Sequence, residues 1–150
     1  MSSPTKKGFT RGRSWARRYA MQALYQWQMT GQDLRLIDAQ FLADPDMDKA
    51  DVAYFQELLH QVLARTDTIN SALGPFLDRP LEQVDPVERA ILWIAGYELA
   101  HRPDIPYRVV INEAVELAKK FGAEQGHRFI NGVLDKTAHQ LRAAEIDSRL

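Results

Sequence analysis

"VDPVERAILWIAGYELAH", residues 84–101, gives the clearest local signal of secondary structure in the chain. Apolar side chains cover nearly the whole circumference of the helix that it predicts, and such a helix is normally buried on most sides. A capping box marks its start, with Asp85 at the N-cap, Pro86 at the first helical position and Glu88 in the first turn. We therefore expect this helix to run through the centre of an all-helical protein.

Other helices are predicted on both sides of this segment. Apolar residues recur with helical spacing over residues 14–29, 33–43, 52–73, 108–121 and 124–144. Gly132, inside the last of these, suggests that another backbone comes close there. Because no stretch alternates with period two, we predict an all-α single domain of six or seven helices. Its expected limits are residues 13–144, between a flexible basic arm, residues 1–12, and a C-terminal tail, residues 145–150.

The composition excludes several classes of protein. With 45% apolar and 26% charged residues, the 150-residue chain is typical of one globular domain. It has no cysteine, which excludes disulfide frameworks, thiolate catalysis and cysteine–zinc sites. No apolar run is long enough to span a membrane. We expect a cytoplasmic protein.

Positive charge is concentrated near the N-terminus. Residues 1–32 hold six lysines and arginines and no acid, whereas the other 118 residues carry thirteen bases and all twenty acids, a balance of −7. Such an asymmetry suggests a localised site for a polyanion. An organellar transit peptide is an alternative. Against it, Ala16, Ala20, Ala23, Leu24 and Trp27 form an apolar stripe typical of a folded core.

Catalytic motifs are missing from the sequence. The histidines do not have metal-binding spacing, and the serines do not lie in a nucleophile elbow. Glu113 and Glu116 share a helix face, but such a face is more often solvated, and Glu116 can pair with Lys120. We expect neither an enzyme nor a bound cofactor, metal or small-molecule substrate.

The segment "RGRSWARRYAMQALYQWQ", residues 11–28, combines arginines with aromatic residues. Arginines can follow a phosphate backbone, and aromatic rings can stack on the bases of single-stranded RNA. The alternative is that these arginines form only a solvated helix face. Tyr25 and Met29 lie away from the alanine stripe, so they are either covered by a later helix or exposed for a partner protein.

Four motifs resemble, in order and spacing, those of the NusB transcription antitermination factors. They are "RRYAMQALYQW", "VERAILWIAGYEL", "VVINEAVELAKKFG" and "FINGVLDK", and together they cover nearly the whole chain. The resemblance implies two packed three-helix bundles and a role in ribosomal RNA transcription. It also implies pairing with NusE, a small-subunit ribosomal protein, binding to single-stranded boxA RNA, and assembly on RNA polymerase.

The resemblance also implies roles for individual residues. The expected RNA contacts are Arg11, Arg13, Arg17, Arg18, Gln22, Arg128 and Phe129, although Phe129 also fits the inward-facing stripe of the last helix. The expected contacts with the protein partner are Tyr25, Met29, Glu82 and Glu88. The two glutamates suit a basic ribosomal protein. Because the arginine run "RGRSWARR" is interrupted, we expect RNA binding to depend on NusE.

Two alternatives remain at the level of sequence. A NusB-like domain also occurs at the N-terminus of some ribosomal RNA methyltransferases, so the chain could be a fragment of such an enzyme. It could also be a helical adaptor that binds proteins and not RNA.

Overall fold

The structure, a computed structural model, describes residues 6–148, with side chains from residue 8 onward. It is 82% helical, and no strand occurs in the described residues. Seven helices of seven residues or more lie in that range, which confirms the predicted all-α class and number of helices. The chain divides into two compact units, residues 1–63 and 64–150.

The first unit is built from three helices, α1 (Lys6–Thr30), α2 (Leu34–Leu42) and α3 (Val52–Ala64), the last ending at the unit boundary. The predicted alanine–leucine stripe of α1 is fully buried, whereas Trp27 is only half-buried. Gly31, with a φ of +65°, ends α1 by donating its N–H to the carbonyl of Trp27 at 2.9 Å. Asp33 then caps α2 by accepting a hydrogen bond from Arg35 N–H.

Helix α1 begins earlier than the sequence predicted. We expected Ser14 to cap it, but the helix begins at Lys6, and the Ser14 hydroxyl donates to the Thr10 carbonyl inside it. Residues 6–12 of the expected flexible arm are therefore helical, whereas residues 1–5 lie outside the described range. A tertiary contact supports this extension, since Asp51 N–H donates to the carbonyl of Gly12 at 2.9 Å.

The predicted long helix over residues 52–73 is wrong. The backbone leaves the helical region at Arg65, with φ −120° and ψ 22°, and a separate helix, α4 (Thr66–Leu73), follows. The buried residues of α3 belong to the first unit, whereas Ile69 and Leu73 of α4 lie within the second. The spacing of apolar residues gives only the position of each side chain around a helix axis. The apolar pattern therefore continues across Arg65 and does not reveal the break there.

The second unit is centred on the apolar helix that was predicted within residues 84–101. Helix α5 (Pro86–His101) packs against α4, α6 (Tyr107–Phe121) and α7 (Gly126–Leu141), and every residue from Ala90 to Leu99 is buried. Asp85 caps α5 as predicted, because its side chain accepts from the N–H groups of Val87 and Glu88. Ile69 of α4 approaches α5 at Gly96, where an added Cβ would lie 3.0 Å from its side chain.

The other half of the predicted capping box does not form. The side chain of Glu88 does not return to Asp85; Oε2 accepts from Ala123 N–H at 3.5 Å. The carboxylate also lies beside Gly126, where an added Cβ would be 2.9 Å from Oε1. The close approach that we predicted at Gly132 is wrong, since nothing lies within 4 Å of a Cβ there. At Gly126, the first residue of α7, the close neighbour is the side chain of Glu88 and not another backbone.

The residues after α7 belong to the folded unit. Arg142 is only 6% exposed, and its guanidinium donates to the carbonyls of Glu98, Leu99, Arg102 and Ile105. Glu145, in the short helix α8 (Ala143–Asp147), pairs with Arg142 and accepts from the backbone N–H of Tyr107. The expected tail therefore begins too early at residue 145; its last two residues, 149 and 150, are outside the described range.

Across residues 6–148, none of the helices combines the length and the apolar character needed to cross a membrane.

Candidate nucleic-acid and partner interfaces

The arginines of α1 are held by aromatic rings of the same unit. The guanidinium carbon of Arg13 lies 4.3 Å from the ring centre of Phe9 and 4.7 Å from that of Tyr54. A planar guanidinium can stack on aromatic faces while its N–H groups remain directed toward an anion. Arg13 is half-buried, so the two rings fix its position before any ligand arrives.

A second stacked pair lies nearby on α1. Arg18 sits over the ring of Trp15 at 4.8 Å, and Lys49 approaches the same ring at 5.1 Å. Trp15 also stacks on Tyr19, with ring centres 5.7 Å apart. Burial and the nearby carboxylate of Asp46 raise the pKa of the Tyr19 hydroxyl. Arg18 and Lys49 both lie near the indole ring of Trp15.

The predicted RNA contacts on α1 differ sharply in exposure. Arg11 is exposed and Gln22 is half-buried, but Arg17 is only 3% exposed and lies 5.6 Å from the ring centre of Tyr54. Arg17 is therefore part of the interior of the first unit, and its guanidinium is not accessible to a phosphate in this structure. Arg11, Arg13, Arg18 and Gln22 retain accessible surface on the same helix.

Two cationic contributors were missed by the sequence analysis. Lys49 lies in an acidic turn, 3.5 Å from Asp46, so its sequence neighbours gave no sign of a basic surface. Arg79 belongs to the second unit, and its guanidinium lies 4.6 Å from the ring centre of Phe129. The contacts of Lys49 with Trp15 and of Arg79 with Phe129 join residues that are distant in sequence, which a local pattern does not reveal.

The other predicted RNA residues lie on α7. Arg128 is exposed and Phe129 is half-buried, so Phe129 is neither a full core residue nor a free ring. Arg79, Phe129, Glu88 and Gln125 help to line a cavity of about 450 Å³. A base that stacked on Phe129 would compete with Arg79 for the ring or lie beside it.

The predicted partner residues fall into exposed and buried groups. Tyr25 is 40% exposed and Met29 is 58% exposed, one helical turn apart on α1, and Leu36 of α2 is 63% exposed. Glu82 is also exposed. Glu88 is only 6% exposed and points toward the N-terminus of α7, so the structure gives it an internal position and not that of a direct partner contact.

Within residues 6–148, carboxylates and histidines form separate ion pairs and no cluster. Glu116 pairs with Lys119 at 3.5 Å, one residue before the lysine that we predicted, and His60 pairs with Asp38 at 3.0 Å. Within the part of the chain that the structure describes, no group of three or more metal-ligating side chains could hold an ion.

The family model and the relatives with similar sequences indicate the same family. Residues 14–139 match the model of the NusB family. The chain is 58% identical over 137 residues to the transcription antitermination protein NusB of Nitrosococcus oceani, covering 91% of this chain and 92% of that protein. It is 54% identical over 133 residues to the protein of the same name from Stenotrophomonas maltophilia, covering 89% and 84% of the two chains.

Solved structures agree on the fold. NusB of T. maritima superposes with a TM-score of 0.73 at 28% identity and covers 92% of both chains. A crystal structure of the antitermination factors NusB and NusE in complex with double-stranded RNA has a TM-score of 0.70 at 24% identity and covers 87% of this chain and 98% of that one. At that identity the second likeness shows the fold alone. Because the curated relatives match over most of their length, a methyltransferase fragment is not favoured.

Proposed function

The chain belongs to the NusB family of transcription antitermination proteins, and on that premise we propose that it pairs with NusE and binds boxA RNA. The proposed RNA is the single-stranded boxA element of nascent ribosomal RNA transcripts. The pair would then join the antitermination complex on RNA polymerase, which places its action in the cytoplasm.

The observation that carries the RNA half is the set of stacked cations on α1. Arg13 and Arg18 rest on aromatic rings at 4.3–4.8 Å, and Arg11 is exposed on the same helix. Guanidinium groups bind phosphate in two-point geometry, and prior stacking lowers the entropy lost on binding. Arg128 on α7 and the half-buried ring of Phe129 are the proposed contacts in the second unit.

The partner half rests on the exposed apolar residues of α1. Tyr25 and Met29 are among the residue types that are enriched at protein interfaces, and both are exposed, whereas the alanine–leucine stripe of the same helix is fully buried. The exposed carboxylate of Glu82 suits a basic partner such as a ribosomal protein. We propose Tyr25, Met29 and Glu82 as contacts and assign Glu88 to the support of the α7 N-terminus.

The RNA half is tested by titrating a labelled single-stranded boxA RNA with the full chain, with and without NusE, at several salt concentrations. We expect tighter binding with NusE and a log–log salt slope of about −3, from neutralising about four phosphates of a single strand. The variant R11A/R18A should flatten the slope. The control R35A removes an exposed arginine from α2 and should leave the slope unchanged.

The partner half is measured in the same preparation by the affinity for NusE. The variant Y25A/M29A should weaken the heterodimer by about tenfold or more, because truncated aromatic anchors dominate such losses. Binding of RNA to the chain alone should not change. Equal affinity for boxA and scrambled RNA in the presence of NusE would refute the RNA half, and an unaltered heterodimer would refute the partner half.

A further inference from the structure

A second cavity, of about 350 Å³, opens between α6 and α7 of the second unit. Its lining contains Tyr107, Arg108, Ile111 and Asn112 from α6 and Asn131 and Asp135 from α7. None of these residues belongs to the RNA or partner contacts proposed above. The two asparagines come from two of the motifs that carried the family resemblance, "VVINEAVELAKKFG" and "FINGVLDK". We call this cavity the amide groove.

The two asparagine side chains have no structural task in the described part of the chain. Both are exposed, and neither makes a hydrogen bond to another described residue. Asparagine is also a poorer helix former than alanine, since its amide competes with backbone hydrogen bonds. Two such residues facing one groove from different helices, Asn112 and Asn131, are not explained by helix formation or by packing.

The charged groups of the amide groove are positioned by their neighbours. Arg108 Nε donates to the hydroxyl of Tyr107 at 3.2 Å, with its guanidinium 5.8 Å from the same ring centre. Asp135 lies 3.8 Å from Nδ1 of His139, one turn further along α7. The groove therefore offers one oriented cation, one carboxylate and two free amides within the same cavity.

The groove offers little apolar surface to a protein ligand. Ile111 and Tyr107 form its apolar part, and they are only 7% and 8% exposed. Protein hot spots need a large apolar or aromatic anchor in a dry pocket. A ligand that mainly makes hydrogen bonds fits better, because each amide offers two donors and an acceptor with two lone pairs.

We propose that the amide groove is a subsite for one nucleotide of single-stranded RNA, an inference that rests on the proposed function. Asn112 and Asn131 would bond the edge of an unstacked base, as asparagine does with base edges generally. Asp135 accepts hydrogen bonds and repels phosphate, so it selects a base with an exocyclic amino group. Arg108 would hold the adjoining phosphate.

The position of Arg128 connects this subsite to the proposed RNA contacts. Arg128, Asn131 and Asp135 are spaced i, i+3 and i+7 along α7, which places them on one face of the helix. An RNA strand whose phosphate contacts the exposed Arg128 therefore has a direct path along α7 into the groove. The subsite extends the RNA surface on the second unit without involving Phe129.

The test compares wild type with N112A/N131A in titrations of labelled boxA RNA at saturating NusE. We expect the double variant to bind about tenfold more weakly or worse, since each two-point amide–base contact discriminates strongly. Its salt slope should stay unchanged, because neutral amides release no counterions. The side-chain amide resonances of Asn112 and Asn131 should also shift when the RNA is added to ¹⁵N-labelled wild type.

The control is Q140A, which removes an exposed amide of α7 outside the groove and should bind as wild type does. Helical circular dichroism should be intact in both variants, because alanine favours helix. Unchanged RNA affinity of N112A/N131A overturns the subsite but leaves the proposed function standing. Weakened binding to NusE with normal RNA affinity also overturns it, in favour of a protein contact. If wild type binds no RNA, both proposals fall.

Discussion

The arginines of α1 show how one residue type takes two roles within two turns of a helix. Arg17 is 3% exposed, near the ring of Tyr54, whereas Arg11 is exposed. A buried guanidinium contributes to stability through stacking and through the packing of its aliphatic stem. An exposed one contributes mainly to the electrostatic attraction of a ligand.

Replacement of these arginines should therefore separate stability from binding. We expect R17A to lower the free energy of unfolding by about 1–2 kcal/mol, the scale of a desolvated cation–π contact. R11A should change it by less than about 0.5 kcal/mol, as exposed substitutions usually do. Urea unfolding gives these values, and RNA titration should show the reverse order of effects at a temperature where both variants are folded. A stable R17A variant would mean that its burial contributes no net energy.

The two glycines of α7 have different surroundings, although both lie in the same helical pattern of the sequence. Gly132 has open space where a Cβ would be, whereas a Cβ on Gly126 would meet the carboxylate of Glu88 at 2.9 Å. Glu88 comes from the start of α5, so its approach depends on how two helices pack. A glycine in a helical pattern signals a possible close contact, but the pattern does not say which glycine has one.

At the scale of elements, the C-terminal residues hold the ends of two other helices. Arg142 donates to carbonyls at the end of α5, and Glu145 accepts from the first N–H of α6, at Tyr107. Helix ends leave such groups without partners inside the helix, and Pro106 at the N-cap of α6 makes no side-chain cap. The pair Arg142–Glu145 thus supplies the caps that the α5–α6 connection lacks.

Loss of this pair should destabilise the second unit strongly. We expect R142A to lower the free energy of unfolding by about 3–5 kcal/mol, because it leaves buried carbonyls without donors and a carboxylate without its partner. E145Q should cost less, since its amide oxygen can still accept from the N–H of Tyr107. Denaturant unfolding provides the comparison, with the exposed E116Q on α6 as control. Equal stability of R142A and E116Q would contradict this role.

For the whole molecule, the main feature is the distribution of charge. The formal net charge is −1, yet residues 1–32 carry six bases without an acid. A localised cationic surface on an otherwise acidic chain directs a polyanion to one site and limits binding elsewhere. Salt dependence of RNA binding should therefore follow the charge of this segment and not the net charge.

Truncation can test this expectation. A chain that lacks residues 1–7 loses Lys6 and Lys7, and its formal net charge becomes −3. We expect weaker RNA binding and a salt slope shallower by about 1.4 if both lysines contact phosphate, at about 0.7 per contact. The control K119A/K120A has the same net charge but leaves the segment intact, so its slope should equal that of wild type. If both variants show the same shallower slope, net charge and not the basic segment controls binding.

The helical class, the family and the location of the positive charge could be predicted from the sequence. Helical periods, the Asp85 cap and the end of α1 at Gly31 depend on residues within one or two turns, so local chemistry is sufficient to predict them. Four ordered motifs were sufficient for the family.

Which of the predicted side chains are accessible depends on the tertiary packing and could not be predicted from the sequence. Tyr54 lies near Arg17, Arg79 reaches Phe129, and two asparagines of separate helices meet in one groove. The same holds for the break at Arg65 and for the turn of Glu88 toward α7. Burial and contact depend on which residues distant in sequence pack together, and periodicity along one helix carries no information about them.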